Sequence, residues 1–135
     1  MLSQNGIALE FSARAHNTEI FQDEIKFRQI AGNLFKNALH HRRSQVKIMM
    51  DVEDENLIVA VSDDGQGVEP EHQEMIFKRY AQVKECSIVP RKGHGLGLAG
   101  ALILARCLGG NITLDSRPGQ GATFRLELPV KMADE

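Results

Sequence analysis

Hydrophobic residues recur along the chain with two different periods, and these periods predict strands interspersed with helices. Alternating apolar positions predict strands near residues 6–11, 46–52, 112–114 and 122–128, and a more continuous apolar run predicts one near residues 57–62. A short run at residues 19–22 predicts one more. Apolar residues spaced three or four apart predict a long helix that begins after Asp23, the N-cap position, and ends near Arg42. Two further helices are predicted at residues 71–80 and from the glycine-rich stretch before Leu98 to Leu108.

Length and charge restrict the class of protein. A chain of 135 residues corresponds to one domain, residues 1–135, with a core of its own. The net charge of −2 gives no general attraction to nucleic acid or to an anionic membrane. No apolar run is long enough to cross a bilayer, and the first residues lack the features of a signal peptide. Cys86 and Cys107 lack C-x-x-C spacing, so we predict reduced thiols and a cytoplasmic location.

The glycine-rich stretch before the last helix is a candidate phosphate site. Gly93, Gly95 and Gly97 lead into an apolar helical segment, whose first N–H groups lack intrahelical partners and favour an anion. Residues 95–100 also spell the dinucleotide pattern G-x-G-x-x-G, with Asp115 as the ribose-binding acid. Pro90 and the cations that follow it do not suit the buried strand which that pattern requires. A glycine turn that only caps a helix is the third interpretation, whereas a Walker P-loop motif is absent.

Polar residues on the first long helix form a second candidate. Asn33, Asn37, His40 and His41 line one edge beside the apolar face, since they are spaced three or four residues apart. Asparagine is a poor helix former, and its side-chain oxygen is a ligand that suits Mg²⁺ bound to substrate phosphates. The alternative is that both asparagines simply face water.

The turn that follows the predicted strand at residues 57–62 is the third candidate site. Asp63 and Asp64 are followed by Gly65 and Gly67, which predict a tight turn at the sheet edge. A carboxylate fixed there can accept a hydrogen bond from an exocyclic amino group, as adenine provides. The alternative is an ordinary Asp-Gly turn.

In order and content, these segments resemble the ATP-binding catalytic domain of two-component sensor histidine kinases, within the GHKL family of gyrase and heat-shock chaperone ATPases. Residues 33–38 resemble the N-box, residues 63–67 the first glycine box, residues 76–80 the F-box and residues 93–98 the second glycine box. Residues 119–124 resemble the closing hairpin of the family. The resemblance runs from about Asp23 to Pro129, and four ordered boxes are far more specific than any one of them.

The resemblance implies a fold and a nucleotide site. The fold is a two-layer α/β sandwich, with a mixed and mostly antiparallel sheet covered on one face by three helices, and a core of about residues 6–130. Asn37, assisted by Asn33, is expected to hold Mg²⁺, and Asp63 is expected to accept from adenine with Thr123 nearby. His41 lies where the family places a residue beside the base. The further expected contacts with ATP or ADP are His40, Gly65, Gly67, Ile76, Phe77, Tyr80, Gly93, His94, Gly95, Leu96, Gly97 and Leu98.

The resemblance also implies a reaction. Asn33 occupies the position where gyrase-type members carry a catalytic Glu, so the expected phosphate acceptor is a histidine and not an activated water. Arg79, Arg91 and Lys92 are the expected lid cations near the γ-phosphate. No phosphoacceptor motif occurs in the chain, so the acceptor is expected on a dimerising helical hairpin of a longer parent protein, followed by a response-regulator aspartate. Whether that parent is anchored in the inner membrane is left open.

Two alternatives compete with the kinase interpretation. The first is a nucleotide-gated module that regulates a partner without phosphate transfer. His40 leaves room for this interpretation, because it falls where the family often has a Lys or Arg that touches phosphate. The other, less favoured alternative is an autonomous ATP-hydrolysing clamp of the GHKL type.

Overall fold

The computed structural model describes residues 6–73 and 97–131. Five strands form one sheet: β1 (Ile7–Phe11), β2 (Val46–Glu53), β3 (Asn56–Asp63), β4 (Asn111–Ser116) and β5 (Ala122–Pro129). The helices are α1 (Ala13–His16), α2 (Glu24–His41) and α3 (Gly97–Cys107). Residues 70–73 are also helical, at the start of the helix predicted for residues 71–80, whose remainder lies outside the described residues.

The strand order in the sheet is β1-β2-β3-β5-β4. β1 runs parallel to β2, while β2 and β3, β3 and β5, and β4 and β5 are antiparallel pairs. The predicted mixed and mostly antiparallel sheet is therefore confirmed. Residues 19–22 do not form the predicted strand, because Phe21 makes only an isolated parallel bridge to Lys131.

The core lies between one face of the sheet and the helices α2 and α3. Period-two alternation on β5 turns a row of apolar residues toward the helices, and the apolar stripe of α2 meets them. The largest fully buried side chains belong to this layer: Ile30, Leu34, Val46, Val61, Leu102, Phe124, Leu126 and Leu128. The rotation of α2 about its axis is consequently fixed by packing, and this rotation decides where its polar edge points.

Two features of the fold differ from the sequence-based expectations. The short helix α1 was not predicted; Ser12 caps it by accepting from the Ala15 N–H, and its hydroxyl donates to Asp51 on β2 at 2.6 Å. Arg14 also donates to Asp51, at 2.8 Å. Cys107 is disulfide-bonded, so the prediction of a reduced thiol is wrong for this residue and it gives no support to a cytoplasmic location, whereas Cys86 lies outside the described residues. No helix in the described ranges is long and apolar enough to span a membrane.

Candidate functional site

A cavity of about 400 Å³ opens where the end of α2 faces the ends of the central strands. Its walls combine apolar side chains with a few polar groups, which is the usual make-up of a small-molecule site. The lining residues are Asn37, His41, Asp63, Gln66, Gly67, Val68, Glu69, His72, Leu98, Ala122 and Phe124. Five residues predicted for the nucleotide site therefore meet in one cavity: Asn37, His41, Asp63, Gly67 and Leu98.

The helix α2 presents Asn37 and His41 to this cavity. Ile30 and Leu34 are fully buried and Ala38 is 1% exposed, so the helix cannot turn about its axis without loss of core packing. Asn37 and His41 are four residues apart and project from the same edge of the helix. Asn33, one turn earlier, is half-buried but does not line the cavity.

His40 differs in position from its neighbour on α2. Its side chain is exposed and is not part of the cavity lining. The rings of His40 and His41 meet edge to face, with centroids 5.0 Å apart. Within the structure described, His40 is thus next to the site and not in it.

Asp63 supplies an acceptor at the end of β3. The strand register pairs it with Val46 on one side and Ala122 on the other, so both neighbouring strands fix its backbone. Its Oδ1 accepts a hydrogen bond from the Gly65 N–H at 2.9 Å. Among the described residues, nothing donates a hydrogen bond to Oδ2. One carboxylate oxygen is thereby oriented by the turn, and the other is left to accept from a ligand.

Glycines in the turn allow close approach of three backbone segments. A Cβ on Gly65 would lie 2.0 Å from the carbonyl oxygen of His41. Gly67, at φ +78°, would place a Cβ 2.3 Å from the carbonyl oxygen of Arg117. Such distances exclude any side chain without movement of the backbone, so these two predicted glycines are required by packing as well as by the turn.

Asp64 has a structural role that the sequence did not reveal. Its carboxylate accepts from the backbone N–H groups of Arg43, Ser44 and Gln45 at 2.8–3.0 Å and from the Ser44 hydroxyl at 2.6 Å. The Ser44 hydroxyl, followed by these N–H groups, holds the pKa of Asp64 well below its ordinary value. Asp64 therefore fastens the segment after α2 to the end of β3, beside Asp63.

Thr123 does not lie in the cavity, although the resemblance placed it near the base. It lines a polar groove of about 320 Å³ that shares Asp63 and Ala122 with the cavity, and its Oγ1 there is 2.8 Å from the Ser62 hydroxyl oxygen. Ala122 and Phe124 take the cavity side of β5. The alternation of β5 contained this information, because Ala122 shares a face with Phe124 and Thr123 points to the other face.

Of the remaining predicted site residues, the structure describes two glycines. Gly97 begins α3 and Gly65 lies in the described turn. The following lie outside the described residues: Ile76, Phe77, Arg79, Tyr80, Arg91, Lys92, Gly93, His94, Gly95 and Leu96. The part of the chain that the structure describes contains no group of three or more His, Cys, Asp or Glu residues suited to a metal ion.

Fold and site together define a two-layer α/β domain with a cavity at the ends of the central strands of its mixed sheet. The chain belongs to the family described as histidine kinase-, DNA gyrase B-, and HSP90-like ATPase, which matches residues 22–132. The resemblance that the sequence motifs indicated is thus confirmed.

Similar proteins include sensor kinases from several bacteria. The sensor protein KdpD of Escherichia coli K12 is 39% identical over 120 residues, which are 87% of this chain and 13% of KdpD. The sensor protein CiaH of Streptococcus pneumoniae is 28% identical over 131 residues, covering 96% of this chain and 29% of CiaH. The chain therefore spans less than a third of the length of these relatives.

The solved structures that share the fold include two with a TM-score above 0.7. Full-length ShkA in complex with AMPPNP superposes with a TM-score of 0.73 at 29% identity, over 98% of this chain and 27% of ShkA. The catalytic domain of the histidine kinase ThkA superposes with a TM-score of 0.71 at 22% identity, over 93% of this chain and 78% of that domain. The predicted architecture of a histidine kinase catalytic domain is confirmed by these similarities.

Proposed function

We propose that this chain is the ATP-binding catalytic domain of a two-component sensor histidine kinase and that its cavity binds Mg-ATP or Mg-ADP. The observation that carries the proposal is the meeting of Asn37, His41 and Asp63 around one partly apolar cavity. Its volume of about 400 Å³ is within the range of small-molecule sites. The ATP analogue in the ShkA complex and the sensor-kinase relatives support the same assignment.

The chemistry of the lining suits an adenine nucleotide. Val68, Leu98 and Phe124 offer apolar surface to a flat base, and the available Oδ2 of Asp63 can accept from its exocyclic amino group. The amide oxygen of Asn37 is a suitable ligand for Mg²⁺, which takes its other ligands from phosphates and water. We assign Asn33 an assisting role and place His41 beside the nucleotide.

Phosphate transfer in this proposal ends on a histidine. The amide of Asn33 cannot accept a proton, so the N-box position that carries a general base in gyrase-type members is inert. A neutral imidazole needs no such base: its nitrogen forms the bond to the γ-phosphorus as the bond to the ADP oxygen breaks. Arg79 and Lys92 are proposed to neutralise the transferred charge. The imidazole belongs to a helical hairpin of a longer protein, which passes the phosphate to a response regulator in the cytoplasm.

Calorimetric titration with ADP, with and without Mg²⁺, tests the nucleotide site. Asn37→Ala should abolish the gain in affinity that Mg²⁺ gives and retain weaker metal-free binding. Asp63→Asn should weaken binding under both conditions, because a carboxylate acceptor is replaced by an amide. Gln29→Ala, exposed on the same helix, is the matched control and should bind as the wild type does. A folded wild type that does not bind ADP would refute the proposal.

A second experiment distinguishes the kinase from its alternatives. The chain is incubated with labelled ATP and a hairpin carrying the acceptor histidine, supplied in trans or joined to it. Acid-labile phosphohistidine is the expected product. Tight ADP binding without labelling would instead support a nucleotide-gated module, and steady phosphate release by the chain alone would support an autonomous ATPase.

A further inference from the structure

Ser116, the last residue of β4, joins two segments of the cavity wall through one hydroxyl group. Its Oγ accepts a hydrogen bond from the Val68 N–H at 2.7 Å and donates one to the Gly121 carbonyl oxygen at 2.8 Å. Val68 is part of the cavity lining, and Gly121 precedes Ala122, which also lines it. Ser116 lies in none of the segments that resemble the kinase boxes.

The wall formed by residues 66–68 is attached to the turn between β4 and β5 at further points. The Gly119 N–H donates to the Gln66 carbonyl oxygen at 2.6 Å. The side-chain amide of Gln73 donates to the Val68 carbonyl oxygen at 2.7 Å and more weakly to that of Ser116 at 3.3 Å. The hydroxyl of Ser116 differs from these contacts because its removal leaves both a backbone donor and a backbone acceptor without a partner.

Gly121 connects the same hydroxyl to the proposed adenine acceptor. Gly121 has φ +82°, and a Cβ on it would lie 2.1 Å from the carbonyl oxygen of Asp63. Because the backbones of Gly121 and Asp63 are in direct contact, a shift of Gly121 also shifts the start of the turn that carries the carboxylate. Ser116 thus holds Val68 on one side of the cavity opening and, through Gly121, the backbone of Asp63 on the other.

We infer that Ser116 is a positioning residue for nucleotide binding, an inference that rests on the proposed function. Its hydroxyl sets the separation between the apolar wall at Val68 and the carboxylate of Asp63. Ser116 itself lines the polar groove beside Thr123 and is absent from the lining of the nucleotide cavity. Its effect on a nucleotide is therefore exerted through the backbone of its partners.

The test is ADP titration of Ser116→Ala together with amide hydrogen exchange at Val68. Ser116→Ala should lose about tenfold in ADP affinity, which corresponds to the net free energy of one or two hydrogen bonds. Exchange of the Val68 N–H should accelerate at least about tenfold, because that N–H loses its acceptor. Ser116→Thr retains the hydroxyl and should restore both quantities. Thr113→Ala removes a hydroxyl from the same strand that makes no hydrogen bond with the described residues, and it should change neither.

The possible outcomes separate this inference from the proposed function. Faster Val68 exchange with unchanged ADP affinity would give Ser116 a purely structural role and overturn the inference. If the alanine variant does not fold, Ser116→Cys replaces it, because the thiol keeps the volume of the side chain but is a much weaker hydrogen-bond partner, and unchanged affinity there would also overturn the inference. Absence of ADP binding by the wild type would refute the proposed function itself.

Discussion

Substitution of Gly65 by alanine tests whether close backbone approach positions the nucleotide site. Gly65 is buried in the turn after β3, and its φ is not in the left-handed region, so alanine adds no backbone strain there. The added Cβ would lie 2.0 Å from the carbonyl oxygen of His41 and 2.9 Å from Oδ1 of Asp63, whereas ordinary contact begins near 3.4 Å. Either the end of α2 or the turn must therefore move by about 1.4 Å.

The free-energy cost of this movement depends on the packing around the end of α2 and the turn. The buried stripe of α2 prevents a rigid shift of the helix, so the strain falls on the last turn of α2 and on residues 63–67. Overpacking of this kind costs about 1–3 kcal/mol. For a domain of this size, we expect the melting temperature to fall by about 5–10 °C. Because Asn37 and Asp63 stand on opposite sides of the contact, ADP affinity should also fall at least about tenfold.

The assay pairs thermal unfolding with calorimetric titration of ADP. Gly109→Ala is the control: Gly109 has φ +84° and its added Cβ would meet only the Cγ of Pro129, at 3.7 Å. It should lose about 1–2 kcal/mol through backbone strain, far from the cavity, and keep its ADP affinity. If Gly65→Ala lost stability but bound ADP as tightly as the wild type, the contact with His41 would have no part in positioning the site. An unchanged melting temperature would refute the packing argument altogether.

Two further predictions concern stability. Gly32→Ala on α2 adds a Cβ with no atom within 4 Å, so we expect a gain of about 0.5–1 kcal/mol in a denaturant titration, and a loss would show that the helix interior is strained there. Asp64 has a lowered pKa in the folded state. Its contribution to the free energy of unfolding is therefore complete above the ordinary carboxyl pKa of about 4, and it is lost as the pH falls from there toward the pKa of the folded state. Asp64→Asn should therefore be less stable than the wild type at pH 7, and denaturant titrations should show a smaller difference at pH 3; a constant difference would contradict the role given to the Asp64 carboxylate.

Features encoded by local spacing could be predicted from the sequence. The apolar period of residues 24–41 indicated α2 and its polar edge, and the alternation of residues 122–128 indicated β5. The motif order then brought Asn37 and Asp63 together in the expected cavity. Thr123, which the motif comparison placed near the base, lies on the opposite face of β5 from Ala122, and the alternation of residues 122–128 already assigned those faces.

Features that depend on distant backbone contacts could not be predicted in this way. Asp64 accepts from N–H groups about twenty positions earlier in the chain, and Asp and Glu side chains alone give no sign of such partners. The short helix α1 has four residues, too few to show a period. Residues 19–22 carry the apolar pattern of a strand, but only Phe21 finds a backbone partner, so tertiary context decided the outcome.

The turn of residues 64–68 is held in place by backbone contacts with the segments on both sides of it. On one side Gly65 touches the last carbonyl of α2, and Asp64 binds the segment that follows this helix. On the other side Gly67 touches the Arg117 carbonyl, and Val68 binds Ser116. The turn is thus held between the helix that carries Asn37 and the hairpin that carries Ala122. Each of these contacts involves backbone atoms. The width of the cavity is therefore determined by small residues and fixed acceptors at these positions more than by the identity of the lining side chains.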